Sequence, residues 1–322
     1  MLISCIVPIY NQEENLLRNC IESILKSNAN FELLLVNNAS TNNVDGIIDS
    51  YCDNRIRKLY EEKKGVVNAY CKGIQSSSGD YIIFVDSDDY IDKKLFDDLY
   101  SVLNKKEYDI INYGFFNLID GKQNNGSRFR NLFLNNLKPS LEFEGNEFSN
   151  FLKKINAKFD FLYGTRWCNC YKKSILSSLI PTIKRKEFNN GEDNYLNCIY
   201  LPLCNNIFFL SEQYYFYRIN TNSLTHNNYR KDLIYEKKYN ISDINLYNEL
   251  RKESMILEIF LFLRVYHQTQ DLIKRKKFEE LSSFLTKDNY LVLKRLNDKT
   301  IKSKIKLLLL KLRLFRIYSK LL

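Results

Sequence analysis

The sequence predicts an α/β protein: a mostly parallel sheet flanked by helices, followed by a helical C-terminal extension. Three observations carry that expectation. Over the first 110 residues, short runs rich in Ile, Val, Leu and Phe alternate with segments whose apolar residues recur at helical spacing. Three of the runs end in polar clusters, Tyr10-Asn11, Asn37-Asn38 and Asp86 to Asp89. Parallel sheets present such clusters to ligands at the carboxyl ends of their strands. Finally, the 322 residues are 45% hydrophobic with only 10 Gly and 4 Pro, enough for a sizeable core and too ordered a composition for disorder.

The elements follow in order. "ISCIVPIY" (3–10) reads as a strand, and a helix over 13–27 places Leu16, Leu17, Cys20, Ile21, Ile24 and Leu25 on one face. "FELLLVNN" (31–38) is the second strand, and the polar turn "NASTNN" leads to a short helix at 44–52. A strand at 56–60, a helix at 67–76 and the strand "YIIFVDSDD" (81–89) come next. A helix at 93–104 carries Leu95, Phe96, Leu99, Val102 and Leu103, and "YDIINYGFF" (108–116) is a further strand. "DGKQNNGS" reads as a surface loop, 161–225 is mixed and aromatic-rich, and the chain turns helical and charged from about 229.

Charge and cysteine content narrow the classes. The formal charge is +10, but seven cations and no acid lie between Thr300 and Leu322. The rest is close to balanced, which argues against a nucleic-acid footprint spread over a domain. The eight cysteines include no C-x-x-C pair, and several sit in apolar runs, which favours a reduced, cytoplasmic chain. Cys168 and Cys170 are spaced C-x-C, with no second pair to complete a zinc site. The first strand starts at once without a basic leader, and no apolar run approaches the ~20 residues of a membrane span.

Two acidic motifs carry chemistry. Asp86 and Asp88 stand two apart on an extended segment, so both carboxylates can face one ligand. A hard divalent cation bound to phosphate needs only one or two protein carboxylates. A solvated turn capping the next helix would use the same residues. Glu192 and Asp193, in "NNGEDNYLN", open an apparent helix, where acids also suit the macrodipole. A carboxylate there can equally serve as general base toward a hydroxyl.

In order along the chain, "ISCIVPIYNQEENL", "ELLLVNNASTNN", "GDYIIFVDSDDYI" and, about a hundred residues on, "GED" closely resemble the family 2 glycosyltransferases, of the Rossmann-like GT-A fold. The resemblance is strong over 1–110, recognisable to about 226 and absent beyond. It implies a catalytic domain over 1–228, with a nucleotide-sugar-binding half (1–110) and an acceptor-side half (111–228), then a helical region over 229–322. It implies that Pro8 and Tyr10 border the nucleotide base, that Asp88 binds Mn²⁺ or Mg²⁺, and that Asp86 contacts the ribose or a metal-bound water. Asp193 matches the catalytic base and Glu192 its partner, while Trp167 in "RWCNCYKKSIL" matches an acceptor-side aromatic. "YYFYRINTNSLTH" resembles the closing segment, where Arg218 would contact diphosphate and His226 would be a late metal ligand; a merely solvated His226 stays open. His267 reads as structural.

Two departures stand out. Where the family has Asp-Asp-Gly-Ser after the second strand, this chain has Asn37-Asn38-Ala39-Ser40. Asn38 can accept from a base through its oxygen and can also donate, so uridine is favoured without being required. Where the family has Ala-Arg-Asn after Gly65, this chain has Tyr70 and Cys71, so a cation near the diphosphate is missing unless Lys72, Arg166 or Arg218 supplies it, with Asn68 still within reach of the ligand.

The implied reaction is transfer of a hexosyl or N-acetylhexosaminyl group, with inversion, from a nucleotide-diphosphate donor (a UDP-sugar first) to a hydroxyl in surface polysaccharide or lipid-linked oligosaccharide assembly. At 100° per residue, Lys302, Lys306, Arg313, Arg316 and Lys320 fall on a stripe of roughly 80° on an otherwise largely apolar helix, a pattern suited to a membrane surface. The chain is thus expected to sit peripherally on the inner face of the cell membrane. A helix packed against protein would look the same. Competing readings are a relative with impaired catalysis, a nucleotidyltransferase, and a basic nucleic-acid binder. "YNQEENLLRN" lacks the Gly-rich basic loop of the second, and the tail interleaves its cations with Leu rather than the aromatics of the third.

Overall fold

The computed structural model describes residues 1–119, 122–125, 140–145, 147, 165–184, 192–219, 278–285 and 290. The chain divides into two compact units, Met1–Phe151 with Lys158–Lys231, and Leu152–Ala157 with Asp232–Leu322. His226, His267 and the basic tail lie outside the described residues.

In the first unit the order is β1 (Ile3–Ile9), α1 (Glu14–Leu25), β2 (Phe31–Asn37), α2 (Val44–Asp49), β3 (Ile56–Tyr60), α3 (Val66–Ser76), β4 (Tyr81–Phe84), β5 (Tyr90–Ile91), α4 (Lys94–Leu103), β6 (Ile110–Ile119), β7 (Lys122–Asn125) and β8 (Ser140–Glu144). After these come β9 (Asn169–Lys172), α5 (Lys173–Ser178), α6 (Ile180–Lys184), α7 (Glu192–Tyr200), a 3-10 turn at Leu201–Leu203 and β10 (Asn206–Arg218). In the second unit, α8 spans Phe278–Phe284.

One sheet carries the strand order β3-β2-β1-β4-β9-β6-β10-β5, with β7 on β6 and β8 on β10. The half formed by β3, β2, β1 and β4 is parallel throughout. β6 and β10 also run parallel, while β9 lies antiparallel between β4 and β6. Every residue of β1 and β2 is buried, because helices cover both faces and their sequences are apolar runs rather than alternations. On one face, Cys5, Val7, Leu33 and Leu35 meet Leu17, Cys20, Ile21 and Ile24 of α1 and Leu95, Phe96 and Leu99 of α4. Each such fully buried aliphatic side chain contributes about 2 kcal/mol. On the other face α3 comes so close to β1 that a Cβ on Gly73 would lie 2.5 Å from Ile6 Cγ2.

The structure departs from the pattern in two places. β4 stops at Phe84 instead of running to Asp89: the chain turns over Asp86 to Asp89, which leaves Asp86 and Asp88 partly exposed and buries Asp89 only where hydrogen bonds meet its carboxylate. Residues 122–125, expected within a loop, pair antiparallel with Phe116 to Ile119. With β1 flanked by β2 and β4, the three polar strand ends fall on one rim.

Candidate active site

The acidic turn is built first. Val85 still donates its N–H to Ile6 O, and the chain then closes on itself with Asp89 N–H to Asp86 O at 3.0 Å. Tyr215 of β10 reaches this turn: its hydroxyl accepts from Asp86 N–H (3.0 Å) and donates to Asp89 Oδ2 (2.7 Å). Arg218 N–H donates to Asp89 Oδ1 at 2.7 Å. Ser87 Oγ donates to Gln12 Oε1 from the loop after β1.

The three acids therefore differ in role. Asp89 is 1% exposed and ties the end of β10 to the turn. Asp86 forms an ion pair with Arg166. Asp88 makes no hydrogen bond or ion pair with a side chain among the described residues, and burial with the neighbouring Asp86 charge raises its carboxyl from 3.8 to about 6. Arg218 pulls it the other way.

Opposite stands the second acid pair. Asp193 lies in the first turn of α7, beside Glu192. Its Oδ2 accepts from Arg166 N–H at 3.2 Å, and its Oδ1 accepts from the Arg166 guanidinium at 2.5 Å. Burial pushes the Asp193 carboxyl up, helped by Glu192 and Asp86, against the opposing pull of Arg166. Arg166 is thus the bridge between the two acidic motifs. Its guanidinium lies 5.5 Å from the ring centres of both Tyr70 and Phe84. Tyr70, at the position where an arginine was expected, is the floor beneath this one.

A buried polar network fixes that bridge. Thr165 O accepts from both Asn169 Nδ2 and Asn197 Nδ2, each at 3.0 Å. Tyr171 OH lies 2.6 Å from Asn197 Oδ1 and 3.3 Å from Arg166 O, and accepts from Asn169 Nδ2. Asn197 is one helical turn beyond Asp193, so the face of α7 that carries the acid is locked to the segment that carries Arg166.

The other rim residues are placed as follows. Tyr10 is half exposed, with Lys64 Nζ 5.4 Å from its ring centre. Pro8 is buried within β1 opposite Val36. Asn38 is buried, and its amide is engaged by the loop after β3: Nδ2 donates to Glu61 O and Lys63 O, and Oδ1 accepts from Gly65 N–H at 2.7 Å. An aspartate could not donate to those carbonyls, which accounts for the amide at this position. Gly65 itself has φ +123°, open to glycine at little cost. Asn68 Nδ2 donates to Lys64 O. Trp167 is buried, stacked on Tyr215 (4.3 Å) and Tyr217 (5.3 Å) with Phe115 edge-on. Arg218 lies over the Tyr90 ring at 5.1 Å, its Nε without a hydrogen bond among the described residues.

Sequence reasoning offered Arg166 only as one of three possible diphosphate contacts and missed Tyr215. No local signal marks either, since their acidic partners lie 27 to 129 residues away.

Among the described residues, no three His, Cys, Asp or Glu side chains gather around one point. Cys168 and Cys170 are buried, free thiols. What the rim offers a cation is two hard carboxylates, one of them unpartnered and half-buried. Such a set fits a divalent ion that keeps most of its shell for phosphate and water.

A single sheet covered by helices, with acids on its carboxyl rim and a second acid pair across from them, defines a glycosyltransferase-type GT-A fold. The family model for glycosyl transferase family 2 matches residues 4–180, more than half of the chain, and the chain belongs to that family. Glycosyltransferase GlyA of Streptococcus pneumoniae is 30% identical over 228 residues, 69% of this chain and 31% of GlyA. EpsJ, an uncharacterized glycosyltransferase of Bacillus subtilis, is 29% identical over 231 residues, 70% of this chain and 63% of EpsJ. The chain therefore spans less than two thirds of either relative. In fold it matches residues 1–349 of S. aureus TarS, crystallised with UDP-GlcNAc, at a TM-score of 0.71 and 18% identity, covering 100% of this chain and 90% of that one.

Proposed function

We propose that this chain transfers a sugar, hexosyl or N-acetylhexosaminyl, from a uridine-diphosphate donor to an acceptor hydroxyl with inversion. The observation that carries the reading is the division of labour across Arg166: an unpartnered Asp88 on one side, and Asp193 held by two hydrogen bonds on the other. The UDP-GlcNAc bound by TarS supports the donor class.

Asp88 and Asp86 would hold Mn²⁺ or Mg²⁺, which offsets charge growing on the leaving diphosphate. Arg218, whose charge acts on Asp88, adds a cation to the same side. Tyr10 offers the exposed ring against which a base stacks, and Asn38 shapes the base pocket through the loop it pins. Asp193 takes the proton of the attacking hydroxyl. Its carboxylate has only to be ionised and held in place, which Arg166 does. Glu192 stands beside it at the α7 N-terminus. Trp167 backs the acceptor side through its stack with Tyr215. The region 1–228 is the catalytic domain and 229–322 an extension, whose basic stripe from Lys302 to Lys320 would hold the enzyme at an anionic membrane surface near a polysaccharide or lipid-linked acceptor.

The test has two parts. Unfolding with UDP, GDP, dTDP and CDP, each with and without Mn²⁺, should give a metal-dependent shift with UDP; a nucleotide at a hundred times its Kd adds about 2.7 kcal/mol. Asp193→Asn should then cut sugar transfer at least about 100-fold with donor binding kept. No shift with any nucleotide would point to an impaired relative, and equal loss of binding and transfer would remove Asp193 from the base role.

A further inference from the structure

Arg166 sits where two demands collide. It is 2% exposed, while its partners Asp86 and Asp193 are 29% and 19% exposed, so both carboxylates still open to the rim. Of its five donors, Nε makes no hydrogen bond among the described residues. The guanidinium instead packs against the rings of Tyr70 and Phe84, and the residue is anchored through its backbone by Asp193 and Tyr171. An arginine gripped this way keeps its place while the groups at its tip change. One of those groups, Asp86, is also half of the carboxylate pair that fits a divalent cation. A cation and a guanidinium are rivals for the same oxygen atoms.

We propose that Arg166 is a positioning residue that couples cation binding at Asp86 and Asp88 to the placement of Asp193. Without a cation, its charge is shared between Asp86 and Asp193. A divalent ion drawing on Asp86 weakens that arm of the bridge and leaves the guanidinium to Asp193, which becomes the more firmly oriented of the two. The base is thereby set when the donor side is loaded. The inference rests on the reading of Asp86 and Asp88 as the cation site. It adds that the guanidinium opposes the cation rather than assisting it, and that Asp193 helps the cation bind without touching it. Such coupling is reciprocal, and couplings of this kind run from about 5-fold to about 100-fold.

Titration of the full chain with Mn²⁺ alone, free ion read by electron paramagnetic resonance, tests it without any turnover. Arg166→Met should bind Mn²⁺ more tightly than the wild type, by about ten-fold. Asp193→Asn should bind it more weakly by several-fold, since the whole guanidinium then falls to Asp86, and that effect should shrink in the double variant. Asp88→Asn should lose binding in every background. A role in stability alone would leave Mn²⁺ affinity unchanged or lowered in Arg166→Met and unaffected in Asp193→Asn; either result overturns the coupling while leaving the cation site intact. If Arg166→Met does not fold, Asp193→Asn decides, and an unchanged affinity there overturns the coupling. Absence of Asp88-dependent Mn²⁺ binding in the wild type overturns the cation-site reading itself, and the coupling with it.

Discussion

The parallel half of the sheet has a carboxylate site at each rim, and the two are built on opposite principles. Near the amino ends of β1 and β2, Glu32 is 8% exposed and saturated: Ser4 Oγ donates at 2.6 Å, Gly79 N–H at 3.2 Å, Arg57 at 2.7 Å, and Ser78 N–H as well. Beyond their carboxyl ends, Asp88 has no side-chain partner, Asp86 and Asp193 share one guanidinium, and Tyr70 OH and two arginine Nε atoms go without hydrogen bonds among the described residues. Titration follows. Burial alone would raise Glu32, but its donors bring it below the ordinary value of 4.5, while Asp88 goes up. A saturated carboxylate is structure. An unsaturated cluster at the opposite rim of the same sheet is a place kept for a ligand.

Four measurements break or sharpen that contrast. The largest effect belongs to Asp88→Asn, which should weaken Mn²⁺-dependent nucleotide binding at least about 100-fold, because one of two carboxylates is gone; calorimetric titration reads it, and Glu32→Gln should leave it unchanged. Next comes Glu32→Gln itself, which should cost about 2–3 kcal/mol, the scale of hydrogen bonds to a buried charge, and be seen in denaturant unfolding. The two clusters should also oppose each other in pH. A carboxyl raised by folding keeps its proton where the unfolded chain has lost it, so chelator-treated protein should gain stability as pH falls from about 6 toward 4 through Asp88. A lowered one works in reverse, so stability should fall again below 4.5 through Glu32. Asp88→Asn should shrink the first limb, to which the buried Asp89 and Asp193 carboxyls also contribute, and leave the second unchanged. The smallest effect is Ala39→Gly. Ala39 has φ +54°, and relieving that backbone should add about 1 kcal/mol, roughly 2–4 °C in Tm, with no change in Mn²⁺ affinity.

What was legible in the sequence was local. The strands from Ile3 to Phe84 announce themselves as apolar runs, and Asp86 and Asp88 mark the rim because an unpaired charge is costly to bury. Asp193 could be placed at a helix start because acids favour that position. What escaped was long-range. That β9 enters antiparallel between β4 and β6 is set by pairing across almost ninety residues, which no window of periodicity contains. Arg166 precedes that strand by three residues, so its partners were hidden for the same reason. Asn38 shows a third limit: its residue type suggested a base contact, whereas its amide is engaged by the backbone of 61–65. The tail and His226 fall outside the described residues.

The position of β9 also orders events at synthesis. A nascent chain that has emerged as far as β6 holds all of the parallel half, yet β4 still has a free edge. That edge is "YIIF", apolar and aromatic, the kind of segment that pairs promiscuously while it waits. It is covered only when residues 169–172 arrive, and Arg166 arrives with them, with Asp193 about twenty residues behind. Closing the sheet and completing the charge bridge are therefore one late step. A chain stalled before that step would be both sticky and inert.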